Sequence, residues 1–441
     1  MNFLFNRKPL LFLAIAGLFC AIYFPLFTAD YAYLDEIHQL WNNRTDSNLN
    51  MFLTQGRWLT GLLFQQFFSA IATIEDLKWL RLFSLGGWVL TSFFICLLFQ
   101  NWAPRFQWQQ QTLWLATLYL ICSLSVCIFI GWASCMEVFA GVAAGICSGH
   151  VLYTALANQN KQRWQFYVSI FLSLVLGVVS LFIYQTAFGA FLLPFFFHYV
   201  KKENPSPGKT LLIGVVFYLL TYVVYYFLFQ YSLQAYGVVA SDRTGISLDV
   251  VRKIGFFFSG PLPQAFSLNI PFNAASIFSQ VWYPLVLLVW VISVFKNYAH
   301  HTWLQKLVRI GGIFILLSLI YLPLMIAKEN FASYRTLYVF NLAVFVMVVD
   351  GTLQMLKRER AKKIFAILMA LVLLLSCWYT INRLYLSPLQ KEYKALQTFM
   401  QTHYRPTVQN VYFIRADKHL FSKRVYRDEF GLPSTYRDWV P

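Results

Sequence analysis

Along most of its 441 residues the chain repeats one pattern: apolar runs of about 17 to 23 residues, each able to cross ~30 Å of hydrocarbon as a helix, separated by short polar loops. Barrel strands are excluded by those lengths, because they alternate inward and outward side chains over only about ten residues. Hydrophobic residues fill 59% of positions and charged residues only 12%, too little polar surface to enclose so much apolar material in water. The sequence therefore specifies an all-α polytopic membrane protein lying in a lipid bilayer.

Charge placement sets the expected orientation. The 35 Lys and Arg outnumber the 18 Asp and Glu, yet they sit mainly in alternate loops between spans, which argues for topology and against nucleic acid. Arg7 and Lys8 precede the first run. Arg105, then Lys161 and Arg163, then Lys201, Lys202 and Lys209 follow in later loops. Lys296, Lys306 and Arg309 come next, and finally Lys357, Arg358, Arg360, Lys362 and Lys363. The positive-inside rule makes these loops cytoplasmic.

Expected spans are 10–28, 79–100, 112–132, 135–157, 166–182, 184–200, 210–231, 280–296, 309–327, 336–355 and 364–382. They make about eleven crossings of the length a bilayer requires, with the amino terminus inside and the carboxyl terminus outside. The apolar segment 57–73 is interrupted by Gln65 and Gln66. As a crossing it would place every later basic loop outside, so an amphipathic helix in the outer interface is expected instead. The first span is expected to be a retained anchor, since Phe27 at the minus-three position suits signal peptidase poorly. All seven cysteines lie in or at the ends of apolar runs, so no disulfide framework is implied.

This division gives a membrane module at 1–382, with outside loops at 29–78 and 232–279, and a small outside segment at 383–441. In that segment Leu389, Tyr393, Leu396 and Met400 follow helical spacing, while VYFI at 411–414 suits a short strand. Lys418, Lys423, Arg424, Arg427 and Arg437 make its end basic, which suits a solvated surface or anionic headgroups at least as well as a polysaccharide.

The chemistry concentrates outside. Asp35 and Glu36 stand together just beyond the first span, near Asp30 and His38. Repelling acids at a low-dielectric boundary are costly unless a cation or substrate compensates them. A carboxylate held there could take a proton from an attacking hydroxyl. Arg335 lies in a short outside loop between two crossings, where a guanidinium could hold a phosphate; Arg57 is second, with Lys328 nearby. Lys78 and Arg81 fit ordinary interfacial cations. Glu137 opens a span, as either a helix-dipole partner or a ligand for a sugar hydroxyl, and Tyr184 and Gln185 sit at a turn that could line the same pocket. No His or Cys spacing marks a metal site, and no Gly-rich phosphate loop or Ser nucleophile elbow is present.

The segments LDEIHQLW at 34–41, QGRWLTGLL at 55–63, SLFIYQTAFGAFLLPF at 180–195 and ENFASYRTLYVF at 329–340 resemble those of the GT-C superfamily of polytopic glycosyltransferases. More narrowly, they resemble the bacterial glucosyltransferases that decorate O-antigen and convert serotype. The resemblance implies an inner-membrane enzyme that transfers a hexose, glucose by this likeness, from undecaprenyl phosphate to a lipopolysaccharide-type glycan acceptor on the periplasmic face. It implies an inverting displacement with Asp35 or Glu36 as base and leaves room for a divalent metal. Related enzymes commonly carry a double Asp where this chain has Asp then Glu, so the choice between the two acids stays open. A polysaccharide polymerase, or a flippase for lipid or sugar, is the alternative. Transporters usually gather polar groups near the bilayer midplane, whereas these acids cluster at one face.

A cysteine placed in loop 101–111 is expected to resist membrane-impermeant thiol reagents added outside intact cells. Labelling there would make 57–73 a crossing and invert every later loop.

Overall fold

The computed structural model describes residues 8–33, 35–42, 47–158, 162–201, 208–273 and 276–405. These residues build helices, and the one β feature among them is an isolated antiparallel bridge between Ile246 and Ala327. The strand expected at 411–414 and the basic cluster beyond it lie outside the described residues.

The chain enters through α1 (Lys8–Tyr23) and then forms three short helices, α2 (Glu36–Asn42), α3 (Ser47–Thr54) and α4 (Trp58–Phe68). Long α5 (Leu77–Trp102) is followed by α6 (Gln110–Cys122) and α7 (Leu124–Gly131), then α8 (Val138–Ala157) and α9 (Arg163–Ile183). A 3₁₀ stretch, Gln185–Leu192, leads into α10 (Leu193–Lys201), and α11 (Lys209–Tyr236) follows. Next come α12 (Val250–Ser259), α13 (Pro261–Phe266), α14 (Ile277–Asn297), α15 (Trp303–Ile320) and α16 (Leu322–Ile326). The described part ends with α17 (Tyr334–Met355), α18 (Glu359–Tyr379), a π turn at Thr380–Leu386 and α19 (Ser387–His403), which carries the helical spacing expected from Leu389 to Met400.

Ten of the segments are long and apolar enough to cross a bilayer, against about eleven expected from run lengths. The difference lies at 184–200, which is no uniform helix. Eight 3₁₀ residues rise ~2.0 Å each and the nine of α10 rise ~1.5 Å, so together they cover about 30 Å in a segment too short to do so as α-helix. Its two ends meet opposite ends of the bundle. Gln185 Nε2 donates to the carbonyl oxygen of Gln55 at 2.7 Å, while the carbonyl oxygen of Val200 accepts from Tyr298 Oη at 2.6 Å and Arg309 Nη1 at 3.0 Å.

Glycines on α8 let this 3₁₀ backbone approach. Gly141, Gly145 and Gly149 recur at i, i+4 on one face. A Cβ on Gly145 would stand 2.9 Å from the carbonyl oxygen of Ala187, and one on Gly149 would overlap the carbonyl of Phe191.

The centre of the bundle is the crossing made by α6 and α7 together with α17, both buried along nearly their whole length. The first is broken at Ser123, and a break in hydrocarbon leaves backbone groups that need partners. Asn269 supplies them: Oδ1 accepts from the Leu124 N–H at 2.9 Å and Nδ2 donates to the carbonyl oxygen of Cys122 at 3.0 Å.

At 11 residues, α4 is about 16 Å long, too short to cross. It is packed on the bundle end rather than lying loose in the interface: Phe64 and Phe68 join Phe52, Leu77, Leu80 and Met136 in a small apolar core separate from the main one. By contrast, α12 turns Val250, Val251, Ile254 and Phe258 outward and buries Lys253, a face suited to the membrane interface.

Gly149→Val is expected to force α8 off the 3₁₀ backbone at a cost of about 1–3 kcal/mol or more, the usual toll of overpacking. Thermal unfolding in detergent should show the loss, and an unchanged midpoint would contradict the close contact.

Candidate active site at the acidic end of the bundle

Glu36 opens α2 and is fully buried, which demands a partner. It has three. Its Oε2 lies 2.8 Å from Arg81 Nη2 and accepts the Tyr33 N–H at 2.7 Å, and Oε1 accepts the Ala133 N–H. Arg81 is as buried, its guanidinium 3.7 Å from the Tyr31 ring centroid and Nη2 donating to the Tyr31 carbonyl oxygen at 2.9 Å. Burial raises the Glu36 pKa above the ordinary carboxylate range, with Arg81 pulling it back. Both oxygens of this acid are thus committed to holding the chain together.

Asp35 differs. It is only half-buried, and Oδ1 accepts from Trp132 Nε1 at 2.9 Å. The guanidinium of Arg335 lies 4.5 Å from the ring centroid of the same Trp132. Burial raises the Asp35 pKa, and the charge of Arg335 is the chief opposing influence. The first acid and the cation singled out in the sequence therefore meet across one indole, at the end of α7. The loop before α2 is fixed by Tyr33, whose ring packs edge-on to Trp132 at 5.3 Å and against Tyr385 at 4.7 Å. Tyr385 is presented by the π turn, an irregularity that re-aims side chains where a regular helix would not.

Arg57 and Glu137, assigned to different roles from sequence, form an ion pair at 2.7 Å in which Glu137 is fully buried. Arg57 Nε also donates to the Ile183 carbonyl oxygen at 3.2 Å, and its guanidinium lies over Tyr184 at 4.9 Å and Phe52 at 5.2 Å. The Thr60 hydroxyl donates to the same carbonyl at 2.6 Å and lies 3.3 Å from Glu137 Oε1. Among the described residues Glu137 Oε2 accepts no hydrogen bond. Gln185 and Tyr225 hold the turn that delivers Arg57: Gln185 Nε2 reaches the Gln55 carbonyl oxygen, and Tyr225 Oη donates to the Gly56 carbonyl oxygen at 2.8 Å. Gly56 has φ +73°, and a Cβ there would overlap the Tyr225 hydroxyl, so glycine is required twice over.

Between these two pairs, Tyr184 and Arg335 line a narrow crevice with Phe129, Val138 and Tyr338, too tight to hold a water. A sugar would enter it only with movement of the lining. Lys328 is exposed and is apart from this arrangement: its N–H donates to the Gly245 carbonyl oxygen at 2.8 Å, and among the described residues it makes no hydrogen bond or ion pair with either acid. His38 is exposed on α2, outside the crevice lining. Among the described residues no group of His, Cys, Asp and Glu is arranged to hold a metal ion.

Sequence reasoning missed Trp132 and set Arg81 aside. Each looks ordinary on its own, an aromatic at a span end and a cation at a span start, and only folding across sequence separations of 45 and 97 residues reveals them as partners of the acids.

Glu36→Gln strands Arg81 as a buried, uncompensated charge and is expected to cost about 3–5 kcal/mol, whereas Glu36→Leu with Arg81→Met should recover most of it. A thiol-reactive dye reporting exposure of the buried cysteines on heating measures both. Equal stability of Glu36→Gln and wild type would contradict the structural role.

A scan against protein-family models and searches of curated proteins and of solved structures found no match to this chain.

Proposed function

We propose that the protein is a membrane glycosyltransferase of GT-C type that moves a hexose from a polyprenyl-phosphate donor to a glycan acceptor at the acidic end of the bundle, with glucose and an O-antigen acceptor as the narrower expectation. The observation that carries this reading is the meeting of Asp35 and Arg335 on Trp132 at one end of a many-helix bundle. A base and a phosphate-binding cation are the two groups that such a transfer requires of the protein.

In the proposed step the acceptor hydroxyl oxygen attacks the anomeric carbon and gives its proton to Asp35. The bond from that carbon to the phosphate oxygen breaks, its electron pair leaves with the phosphate, and Arg335 offsets the charge that accumulates there. The configuration inverts and no nucleophilic side chain is needed. Trp132 orients the base. Glu36 is assigned to structure and Asp35 to chemistry, because both oxygens of Glu36 are already engaged. Arg57, paired with Glu137, is assigned to shaping the pocket rather than to gripping phosphate alone, and Glu137 Oε2 is an acceptor available to a sugar hydroxyl. The placement of the acids at one end, not at mid-bundle, favours transfer over transport.

Asp35→Asn is expected to lower transfer from a polyprenyl-phosphate hexose in reconstituted lipid by roughly 10²–10⁴-fold, the usual contribution of a general base. Turnover equal to wild type would remove Asp35 from the mechanism. The base acts ionised, so wild-type rate should rise with pH through a limb above the ordinary carboxylate range, since burial raises the Asp35 pKa. Removing the opposing charge with Arg335→Gln should move that limb to still higher pH; a shift to lower pH would contradict the assignment.

A further inference from the structure

At the other end of the bundle α10, α14, α15 and α17 converge on a small cavity of about 20 Å³, open on one side and with room for about one water-sized group. Three charged side chains line it, Lys201, Arg309 and Asp350. Arg309 is 1% exposed, with its guanidinium 3.7 Å from the Tyr298 ring centroid and Nη1 donating to the Val200 carbonyl oxygen. Asp350 is paired with Lys201 and also accepts from Thr112 Oγ1 and Gln354 Nε2, each at 3.0 Å. Asn297 adds an amide, its Nδ2 donating to the Gly351 carbonyl oxygen at 3.2 Å.

The lining carries two positive charges to one negative, and the space beside them admits a single oxygen-sized group from the open side. The single carboxylate is already held by three donors. Such a site favours a monoanion with several acceptor oxygens, and a phosphodiester matches the fork of a guanidinium. The outer surface beside the cavity names the source. On α15, Trp303, Leu304, Leu307 and Val308 are exposed in the turn that leads to buried Arg309. An aromatic and an aliphatic patch there suit the headgroup boundary and the acyl chains beneath it, and basic pockets between spans at that depth suit lipid headgroups. A phosphate dissolved in water would need no apolar exterior.

We propose that the open side of this cavity binds the phosphate of an anionic membrane lipid, one phosphate oxygen entering toward Arg309 as its principal ligand, with Lys201 and Asn297 beside it. The site is separate from the acidic end, so it stands or falls independently of the glycosyl-transfer reading. Purified protein in detergent is titrated with short-chain phosphatidylglycerol, the matching phosphatidylcholine, and inorganic phosphate, and bound molecules are counted by native mass spectrometry. One phosphatidylglycerol should be retained saturably, the zwitterionic lipid about tenfold more weakly or worse, and inorganic phosphate should not displace the lipid at equal concentration. Arg309→Gln should weaken phosphatidylglycerol about tenfold. Equal retention of the two lipids, displacement by inorganic phosphate, or undiminished binding in folded Arg309→Gln would overturn the proposal. The lipid comparison is made on the wild type, so it decides the question even where the variant does not fold.

Discussion

An ionised carboxylate at the edge of a hydrocarbon core must be compensated, and the way Glu36 is compensated organises the acidic end of this protein. Its two oxygens gather the loop after α1 through the Tyr33 N–H, the turn before α8 through the Ala133 N–H, and α5 through Arg81. Removing any one partner would leave charge or an N–H without relief at low dielectric. With Glu36 anchored inward, its neighbour Asp35 is carried toward Trp132 and the solvent edge. An adjacent pair of like acids is thereby divided into a structural member and a chemically available one.

The same physics recurs twice more. Arg57 and Glu137 tie the turn before α4 to the start of α8, and Lys201 and Asp350 tie the end of α10 to the end of α17. Each pair joins segments far apart in sequence, and each is mostly buried. In water such pairs add little stability, but in a bundle surrounded by lipid they restrict which helices can neighbour one another. The crossing through the 3₁₀ stretch depends on two of them, since the Arg57 cluster receives its beginning at Ile183 and Tyr184 and the Lys201 pair holds its end.

Much of this was legible in the sequence, because hydrocarbon thickness fixes span length and apolar runs announce it. The spans follow from that rule, and the non-crossing segment at 57–73 from the placement of basic loops. The 3₁₀ crossing was not legible: residues 184–200 look like a short helix, and only the glycine face of α8 and the stretched backbone explain how they reach across. At the site, Asp35 and Arg335 stood out because each is a charge confined beside the membrane, and the structure brings both to Trp132. The pairing of Arg57 with Glu137, and of Glu36 with Arg81, was hidden by long sequence separation. Lys328 shares a short loop with Arg335, which suggested a common role, whereas its backbone is held against Gly245. The opposing roles of Asp35 and Glu36 could not be read from two adjacent letters, since they arise from which way each side chain faces.

The division of labour between those two acids is open to a direct chemical measurement. A hydrophobic carbodiimide modifies protonated carboxyl groups that it can reach from the membrane, and peptide mass spectrometry locates the adduct. Treated in its native membrane at mildly acidic pH, the protein should carry the adduct on Asp35 and leave Glu36 unmodified. Modification of Glu36 to the same extent as Asp35, or in its place, would contradict the structural assignment of Glu36 and with it the proposed base.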